Sequence, residues 1–222
     1  MSSSPTFLTL DTGSPVVSLA LGDASTRRAE RTLDLRQSSE RLLRNLREAL
    51  DEAGLQMTEL DGILVLQGPG SFTGLRVGLG TVLGLHQALG IRATAISTLR
   101  VLASSVAERL RDGDGVVAVV DAIRGEWMAQ TFVLEGGEPQ PVDLPALKTP
   151  QDLEEAVHPI VGFGIDDLPG STPRFLAEPL AGPALAVAAG LKSWDPGRLV
   201  EPIYFRPPAT TAPKRVPRPE TT

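Results

Sequence analysis

The sequence predicts an α/β fold built from two related halves, and the main evidence is a strand pattern that occurs twice. Phe7 to Asp11 and Pro15 to Gly22 are strand-like runs on either side of a glycine-containing turn, which is typical of a β-hairpin. Val116 to Asp121 and Glu126 to Leu134 repeat this pattern, and the two strand-ending aspartates are 110 residues apart in the 222-residue chain. The spacing favours a duplicated architecture, although two unrelated hairpins would give the same pattern.

The helices of the first half follow from apolar spacing and from residues that cap helix ends. Ser38 to Ala53 carries apolar residues three and four apart, with Ser38 as a suitable N-cap and Gly54 as a suitable stop. The segments that follow are predicted to alternate strand, helix, strand and helix: Leu60 to Gln67, Ser71 to Leu89 ended by Gly90, Ile91 to Ile96, and Ser97 to about Arg111.

The second half has weaker patterns, which still suffice to divide the chain. A short helix near Pro150 to Val157, a strand from Pro159 to Gly164 and a helix beginning at Pro183 are predicted there. We expect a first lobe at 1–103, a smaller second lobe at 104–205 whose late helix packs back on the first, and a disordered, Pro-rich basic tail at 206–222.

Composition limits the classes of function. The chain has 27 acidic and 21 basic side chains, a net charge of −6, which argues against a general nucleic-acid binder because such proteins neutralise phosphates with Lys and Arg. It has no cysteine and only two histidines, His86 and His158, which argues against thiol chemistry and against a Cys- or His-rich metal site. We expect no bound metal and no cofactor. We find no signal peptide pattern and no apolar run of about 18 residues, so we expect a cytoplasmic protein without a membrane span.

A glycine-rich string joins the predicted strand at Leu60 to Gln67 to the next helix. The string runs Gly-Pro-Gly-Ser-Phe-Thr-Gly-Leu-Arg over residues 68–76. Because its backbone N–H groups and the helix dipole favour anions, Gly70 and Ser71 are candidates for an anion site. The string lacks the lysine of a phosphate-binding loop and the glycine spacing of a dinucleotide site, so a turn whose glycines serve only packing remains an equal alternative.

The helix after this string is unusual because four glycines occupy its interior, at positions 74, 78, 80 and 84. Each glycine costs about 1 kcal/mol of helix stability relative to alanine. With small residues on one side and leucines on the other, the helix is expected to be packed on both. Its second neighbour is either the helix Ser38 to Ala53 of the same chain or a helix pair from a partner subunit.

The turn of the first hairpin spells Asp11-Thr12-Gly13-Ser14, which is the loop sequence of aspartic proteases. That chemistry needs two such loops, and the chain has one, so a protease is only a third hypothesis. Actin-like and sugar-kinase-like folds place such a hairpin aspartate at the phosphates of a nucleotide. A stand-alone nucleotide hydrolase that uses Asp11 and its counterpart Asp121 is therefore the second hypothesis.

Several stretches, taken in order, resemble the TsaB (YeaZ) family, whose members take part in making threonylcarbamoyladenosine at position 37 of tRNAs. The glycine-rich string is the most specific of them, and the resemblance extends over nearly the whole chain. The supporting stretches are Leu10 to Thr12, Ser39 to Leu43, Ile96 to Leu99, Asp121 to Glu126, and Glu201 to Arg206.

The resemblance implies a two-lobed actin-like fold (ASKHA, ribonuclease H-like), a duplicated mixed sheet flanked by helices, that has lost catalysis. It implies binding to the paralogue TsaD, which transfers the threonylcarbamoyl group, with TsaE joining the complex, tRNA contacted mainly through the complex, and a homodimer when the chain is alone. The family's pairing surface uses the helices Ser38 to Ala53 and Ser71 to Leu89. We therefore expect these partner-binding residues: Leu42, Leu43, Leu46, Leu50, Gly74, Val77, Gly78, Thr81, Gly84 and Leu85.

Two departures from the family pattern bear on nucleotide chemistry. Ser38-Ser39 stands where the family often has His-Ser, and Asp121-Ala122-Ile123 stands where it often has Asp-Ala-Arg. Both changes remove polar groups, so we expect no catalytic residue. At most a vestigial nucleotide or anion site is expected, from Asp11, Thr12, Gly70, Ser71 and Asp121.

Overall fold

Two β-sheets organise the fold, one from each half of the chain. The computed structural model describes residues 4–33 and 38–205. The strands of the first sheet are β1 (Phe7–Asp11), β2 (Val17–Gly22), β3 (Arg27–Leu33), β4 (Gly62–Leu66) and β5 (Ala93–Ile96). The strands of the second are β6 (Gly115–Asp121), β7 (Trp127–Glu135), β8 (Glu138–Pro141), β9 (Ala146–Lys148), β10 (Ile160–Gly162) and β11 (Arg174–Leu176).

The two sheets share one local topology. The first has the order β3-β2-β1-β4-β5, and the second has the order β11-β10-β6-β7-β8, with β9 also beside β7. In each, a central strand pairs antiparallel with the next strand of the chain and parallel with a later one: β1 with β2 and β4, and β6 with β7 and β10. The predicted two-lobed, duplicated mixed α/β fold is confirmed.

Helices cover both faces of the first sheet. Its outer face packs against α1 (Ser38–Ala53) and α2 (Phe72–Leu89), and its inner face packs against α3 (Thr98–Ser105) and α5 (Ala181–Gly190). The short helix α4 (Pro150–Glu154) packs against the second sheet through Leu153. Side chains of a strand alternate between the two faces, so Leu8 and Leu10 join the outer cluster and Phe7 joins the inner one. Burial on both faces explains why β1 reads as a nearly continuous apolar run.

The inner cluster joins the two lobes into one core. Leu99 of α3 and Leu185 of α5 pack in a single group with Leu64 of the first sheet and Val116 of the second. Thr9 of β1 donates a hydrogen bond to the carbonyl oxygen of Ala181 over 2.6 Å. The last helix therefore returns to the first sheet, while the boundaries at 103 and 205 stay predictions and the tail 206–222 lies outside the described residues.

Three local expectations need correction. The third helix ends at Ser105, where the hydroxyls of Ser104 and Ser105 bond back to helix carbonyls and compete with the helical pattern. The last helix begins two residues before Pro183, which occupies its first turn, where no N–H group is needed. Strand β3 was not predicted because it is a sheet edge with charged residues, whereas sequence patterns detect buried strands best.

Candidate functional site

Turns at the ends of β1, β4 and β6 enclose a cleft of about 680 Å³ between the two lobes. Gly70, Ser71 and Asp121, three of the five residues expected at a vestigial nucleotide or anion site, line it. The other principal lining residues come from the β1–β2 turn, the first turn of α2, the β6–β7 turn, the end of β10 and the last described segment: Gly13, Ser14, Phe72, Thr73, Ile123, Arg124, Phe163, Tyr204 and Phe205.

The glycine-rich loop packs closely against the turn of the first hairpin. The N–H group of Ser71 donates to the carbonyl oxygen of Gly13 over 2.8 Å, and the Ser71 hydroxyl caps α2 by accepting from the N–H group of Gly74 over 3.3 Å. A Cβ at Gly70 would lie within about 3 Å of the Gly13 carbonyl group. The loop therefore needs glycine for packing, and it also presents the amino end of α2 to the cleft.

Asp11 and Thr12 lie beneath the cleft and do not line it, which corrects the expectation that placed them in the site. Asp11 is fully buried, and its Oδ1 accepts hydrogen bonds from the N–H groups of Gly13 and Ser14 over 3.0 and 3.1 Å. Burial raises the pKa of the Asp11 carboxyl to about 6. The hydroxyl of Thr12 donates to the carbonyl oxygen of Gly74 over 2.7 Å. Both side chains hold the hairpin turn against α2.

Asp121 is exposed on the opposite wall of the cleft. Its Oδ1 accepts from the N–H group of Ile123 over 2.7 Å, and this bond shapes a turn in which Ile123 and Arg124 have φ of 65° and 62°. Such left-handed conformations are uncommon away from glycine, and a β-branched isoleucine adopts them rarely. The turn therefore directs Ile123 and Arg124 to the cleft. Asp121 does not meet Asp11 there, because Asp11 is buried beneath the cleft.

Metal-ligating side chains are scattered in the described part of the chain. No group of three or more His, Asp or Glu residues is close enough there to hold a metal ion.

Across residues 4–33 and 38–205, no helix has the length and apolar character needed to cross a membrane.

The expected partner-binding residues fall into three environments. Leu42, Leu46 and Leu50 are buried below α1 in the outer cluster, and Gly74 and Gly78 face Thr12 of the same chain. Leu42, Gly74 and Gly78 are therefore internal, which corrects their assignment to the partner surface, whereas Leu46 and Leu50 are largely buried but also line the surface groove beside α1. The remaining expected residues reach the surface: Leu43 is 60% exposed, Gly84 is exposed, and Val77, Thr81 and Leu85 are half-buried.

The surface between α1 and α2 combines small and apolar groups. Gly80 and Gly84 are exposed on α2, and a Cβ added at either would have no neighbour within 4 Å in the described chain. Beside α1 lies a groove of about 600 Å³, lined by Leu43, Leu55 and Met57 among others. We call this surface the helical face, defined by Leu43, Arg44, Arg47, Val77, Gly80, Thr81 and Gly84.

A stacked cluster at the start of α2 was not predicted. The Arg76 guanidinium lies 3.7 Å from the centre of the Phe72 ring and donates to the Tyr204 hydroxyl over 3.2 Å. The Phe72 and Tyr204 rings are 4.9 Å apart. Tyr204 comes from the far end of the chain, and no local pattern in the sequence indicates so distant a contact.

The duplicated mixed sheets and the cleft between them define the class of protein, a two-lobed actin-like (ASKHA-type) protein. A family model described as TsaD, tRNA N6-adenosine threonylcarbamoyltransferase, matches residues 32–160, more than half of the chain. Among solved structures, YeaZ from Pseudomonas aeruginosa superposes with a TM-score of 0.74 at 28% identity, over 90% of this chain and 100% of that one.

Curated relatives carry the TsaB name. The Escherichia coli (strain K12) tRNA threonylcarbamoyladenosine biosynthesis protein TsaB is 33% identical over 119 residues, 54% of this chain and 51% of that protein. The Bacillus subtilis (strain 168) protein of the same name is 32% identical over 134 residues, 60% and 57% of the two chains. The chain thus spans about half the length of these curated relatives. It belongs to the TsaB (YeaZ) family.

Proposed function

We propose that the chain is a noncatalytic subunit that binds a TsaD-type threonylcarbamoyltransferase through the helical face and activates it. The reaction would be the formation of threonylcarbamoyladenosine at position 37 of tRNA. The names of the relatives and of the matching family model support the pathway. The open glycines of α2 support the docking role, and they carry the proposal.

Gly80 and Gly84 have no role inside the described chain that requires glycine. Neither adopts a left-handed φ, and a side chain at either would meet open space. A glycine in a helix interior costs about 1 kcal/mol relative to alanine. A foreign helix that approaches closely over these two positions would offset that cost, because small residues bring helix axes nearer together.

The rest of the helical face fits a mainly apolar partner with acidic residues at its edge. Leu43 is largely exposed, and the groove beside α1 has Leu55 and Met57 on its walls. Arg44 and Arg47 lie along the same groove with one acidic residue, Asp51, so carboxylates of a partner would meet a net positive charge at the rim. We expect the same face to form a homodimer when the chain is alone, TsaE to join the assembled complex, and tRNA to be contacted mainly through that complex.

The positions of the two hairpin aspartates, one buried and one exposed, support the proposal that the chain is noncatalytic. Asp11 is sealed below the cleft and Asp121 is exposed on its wall. A nucleotide hydrolase or a protease that used both would need them in one accessible site. We therefore assign the bond-forming step to the partner.

Reconstitution in vitro tests whether the chain activates the transferase without forming the product itself. Threonylcarbamoyladenosine formed on tRNA would be measured by mass spectrometry with the chain alone, with a TsaD-type transferase alone, and with both, in the presence of threonylcarbamoyl-AMP. We expect no product from the chain alone and a clear rise when both are present. Formation of product by the chain alone would contradict the proposal.

Replacing Asp121 in the same assay separates activation from catalysis. Because we assign no chemistry to this carboxylate, Asp121→Asn should activate the transferase to within about twofold of the unchanged chain, which corresponds to less than about 0.5 kcal/mol. The exposed Asp167→Asn serves as the matched control. A loss of activation of more than about tenfold for Asp121→Asn alone would place this residue in the reaction.

A further inference from the structure

We infer that Arg76 anchors a carboxylate of the docking partner, so that an Asp or Glu side chain of the TsaD-type transferase binds its guanidinium near the start of α2. This contact rests on the proposed docking role, and it adds the chemistry of the partner at one point of that surface. Three features of Arg76 point to it: the aromatic side chains that hold it, the open edge of its guanidinium, and its place beside the exposed glycines of α2.

Two aromatic side chains hold the Arg76 guanidinium in position. Its Cζ lies 3.7 Å from the centre of the Phe72 ring, and its Nε donates a hydrogen bond to the Tyr204 hydroxyl over 3.2 Å. The two rings are also in contact, with their centres 4.9 Å apart. A long side chain loses rotamer freedom when it binds a partner. Because Arg76 is already held in the unbound chain, it would bind an anion at a smaller entropic cost.

The outer edge of the Arg76 guanidinium is open. Arg76 is exposed, and its terminal nitrogens, Nη1 and Nη2, have no acceptor within residues 4–33 and 38–205. The ion pairs described there involve the guanidinium groups of Arg27, Arg31 and Arg100 instead. The terminal N–H groups of a guanidinium form a planar fork that matches the two oxygens of a carboxylate. The side chain is thus oriented for an anion that the described chain does not supply.

The position of Arg76 continues the helical face toward the amino end of α2. Phe72, Arg76, Gly80 and Gly84 are all exposed and four residues apart, so they form one row along the helix. One turn, about 6 Å along the axis, separates Arg76 from Gly80. Because the Arg76 guanidinium lies over Phe72, the space above Gly80 stays clear. A foreign helix over the two glycines would therefore reach Arg76 within one further turn.

The charges near this row favour an acidic protein partner. Arg44 and Arg47 line the neighbouring groove together with Asp51, and the amino end of α2 adds a partial positive charge near Arg76. This local positive charge belongs to a chain whose net charge is −6. A phosphate of tRNA would also fit the guanidinium fork, but an acidic chain repels nucleic acid as a whole. A partner's carboxylate is therefore the better match.

Calorimetric titration of the full chain with a TsaD-type transferase tests the contact. Arg76→Gln should weaken binding at least about tenfold, because a charge-assisted hydrogen bond is lost. Arg76→Lys keeps the charge without the fork, so its affinity should be intermediate. Tyr204→Phe keeps the ring but removes the hydrogen bond to Nε, and should weaken binding about twofold to threefold. The matched control is Arg109→Gln, which should bind like the unchanged chain, because this exposed arginine lies over Phe175 in the second lobe.

Salt dependence separates a carboxylate contact from a purely structural role of Arg76. Raising the salt concentration from about 50 to about 300 mM screens exposed charge pairs, so the unchanged chain should bind the transferase more weakly at the higher concentration. Arg76→Gln should lose less affinity over the same range, because one charge pair is absent. A variant that weakened binding only by loosening Tyr204 would keep the full salt dependence.

The controls distinguish a failure of this contact from a failure of the docking role. If Gly84→Arg does not bind the transferase but Arg76→Gln binds like the unchanged chain, the carboxylate contact is overturned and the docking role stands. Absence of any complex with the unchanged chain, or undiminished binding by Gly84→Arg, would overturn both. An unaltered salt dependence in Arg76→Gln would also overturn the contact. So would a loss limited to tRNA binding by the assembled complex, which would assign Arg76 to an RNA phosphate.

Discussion

Asp11 shows at the scale of one residue how burial decides what a carboxylate can do. Its sequence context predicts a strand-ending aspartate before a tight turn, and that position is confirmed. Its burial could not be predicted, because it depends on the glycine-rich loop some 60 residues later closing over the turn. Asp121 occupies the equivalent strand end yet is exposed, because no loop within residues 4–33 and 38–205 covers it in this way.

The raised pKa of Asp11 predicts a pH dependence of stability. Its pKa is about 6 in the folded chain against 3.8 for an unperturbed group. The folded state therefore binds more protons than the unfolded state between these values, and stability is lost as pH rises through about 6. Removing this titration in Asp11→Asn should raise the free energy of unfolding relative to the unchanged chain by about 1 to 3 kcal/mol more at pH 8 than at pH 4.

Urea unfolding at the two pH values measures this difference. The exposed Asp167→Asn provides the control, for which we expect the same change with pH as for the unchanged chain. An Asp11→Asn variant whose stability follows the pH dependence of the unchanged chain would show that Asp11 is not the group responsible.

Helix α2 shows, at the scale of one element, which features the sequence predicts and which depend on tertiary packing. The sequence predicts its extent to within a residue, as a helix from Ser71 to Leu89 that ends at Gly90, and the structure shows Ser71 to be the N-cap. Helical spacing places Gly74, Gly78 and Gly84 on one arc, but it does not show where the sheet meets that arc. In the structure, Gly74 and Gly78 pack against Thr12, whereas a side chain at Gly84 would have no neighbour in the described chain.

This division predicts opposite effects for the same substitution. Gly78→Ala should lower the free energy of unfolding by about 1 to 3 kcal/mol, because the new Cβ would collide with the Thr12 side chain. Gly80→Ala should raise it by about 0.5 to 1 kcal/mol, because helix propensity improves and nothing is displaced. Urea unfolding of both variants is the check, and destabilisation by Gly80→Ala would mean that its surface is already occupied within the chain.

At the scale of the whole molecule, the repeated hairpins predict the two lobes, but not the core that joins them. Helix α5 lies against β1 although it is more than 170 residues away in sequence. Of the cleft, the sequence indicates Gly70, Ser71 and Asp121, which lie in recognisable turns. The sequence also indicates Phe163, at a strand end that either approaches a ligand or only ends the strand, but it does not indicate Tyr204 and Phe205, which reach the cleft only through long-range packing.

Light scattering of the chain mixed with an equimolar TsaD-type transferase tests the central claim most directly. The unchanged chain and the control Ala186→Arg, an exposed alanine on α5, should give the mass of a complex. Gly84→Arg should give only the masses of the separate proteins, because its side chain fills the space that a foreign helix needs. An undiminished complex with Gly84→Arg would contradict the claim that the helical face is the docking surface.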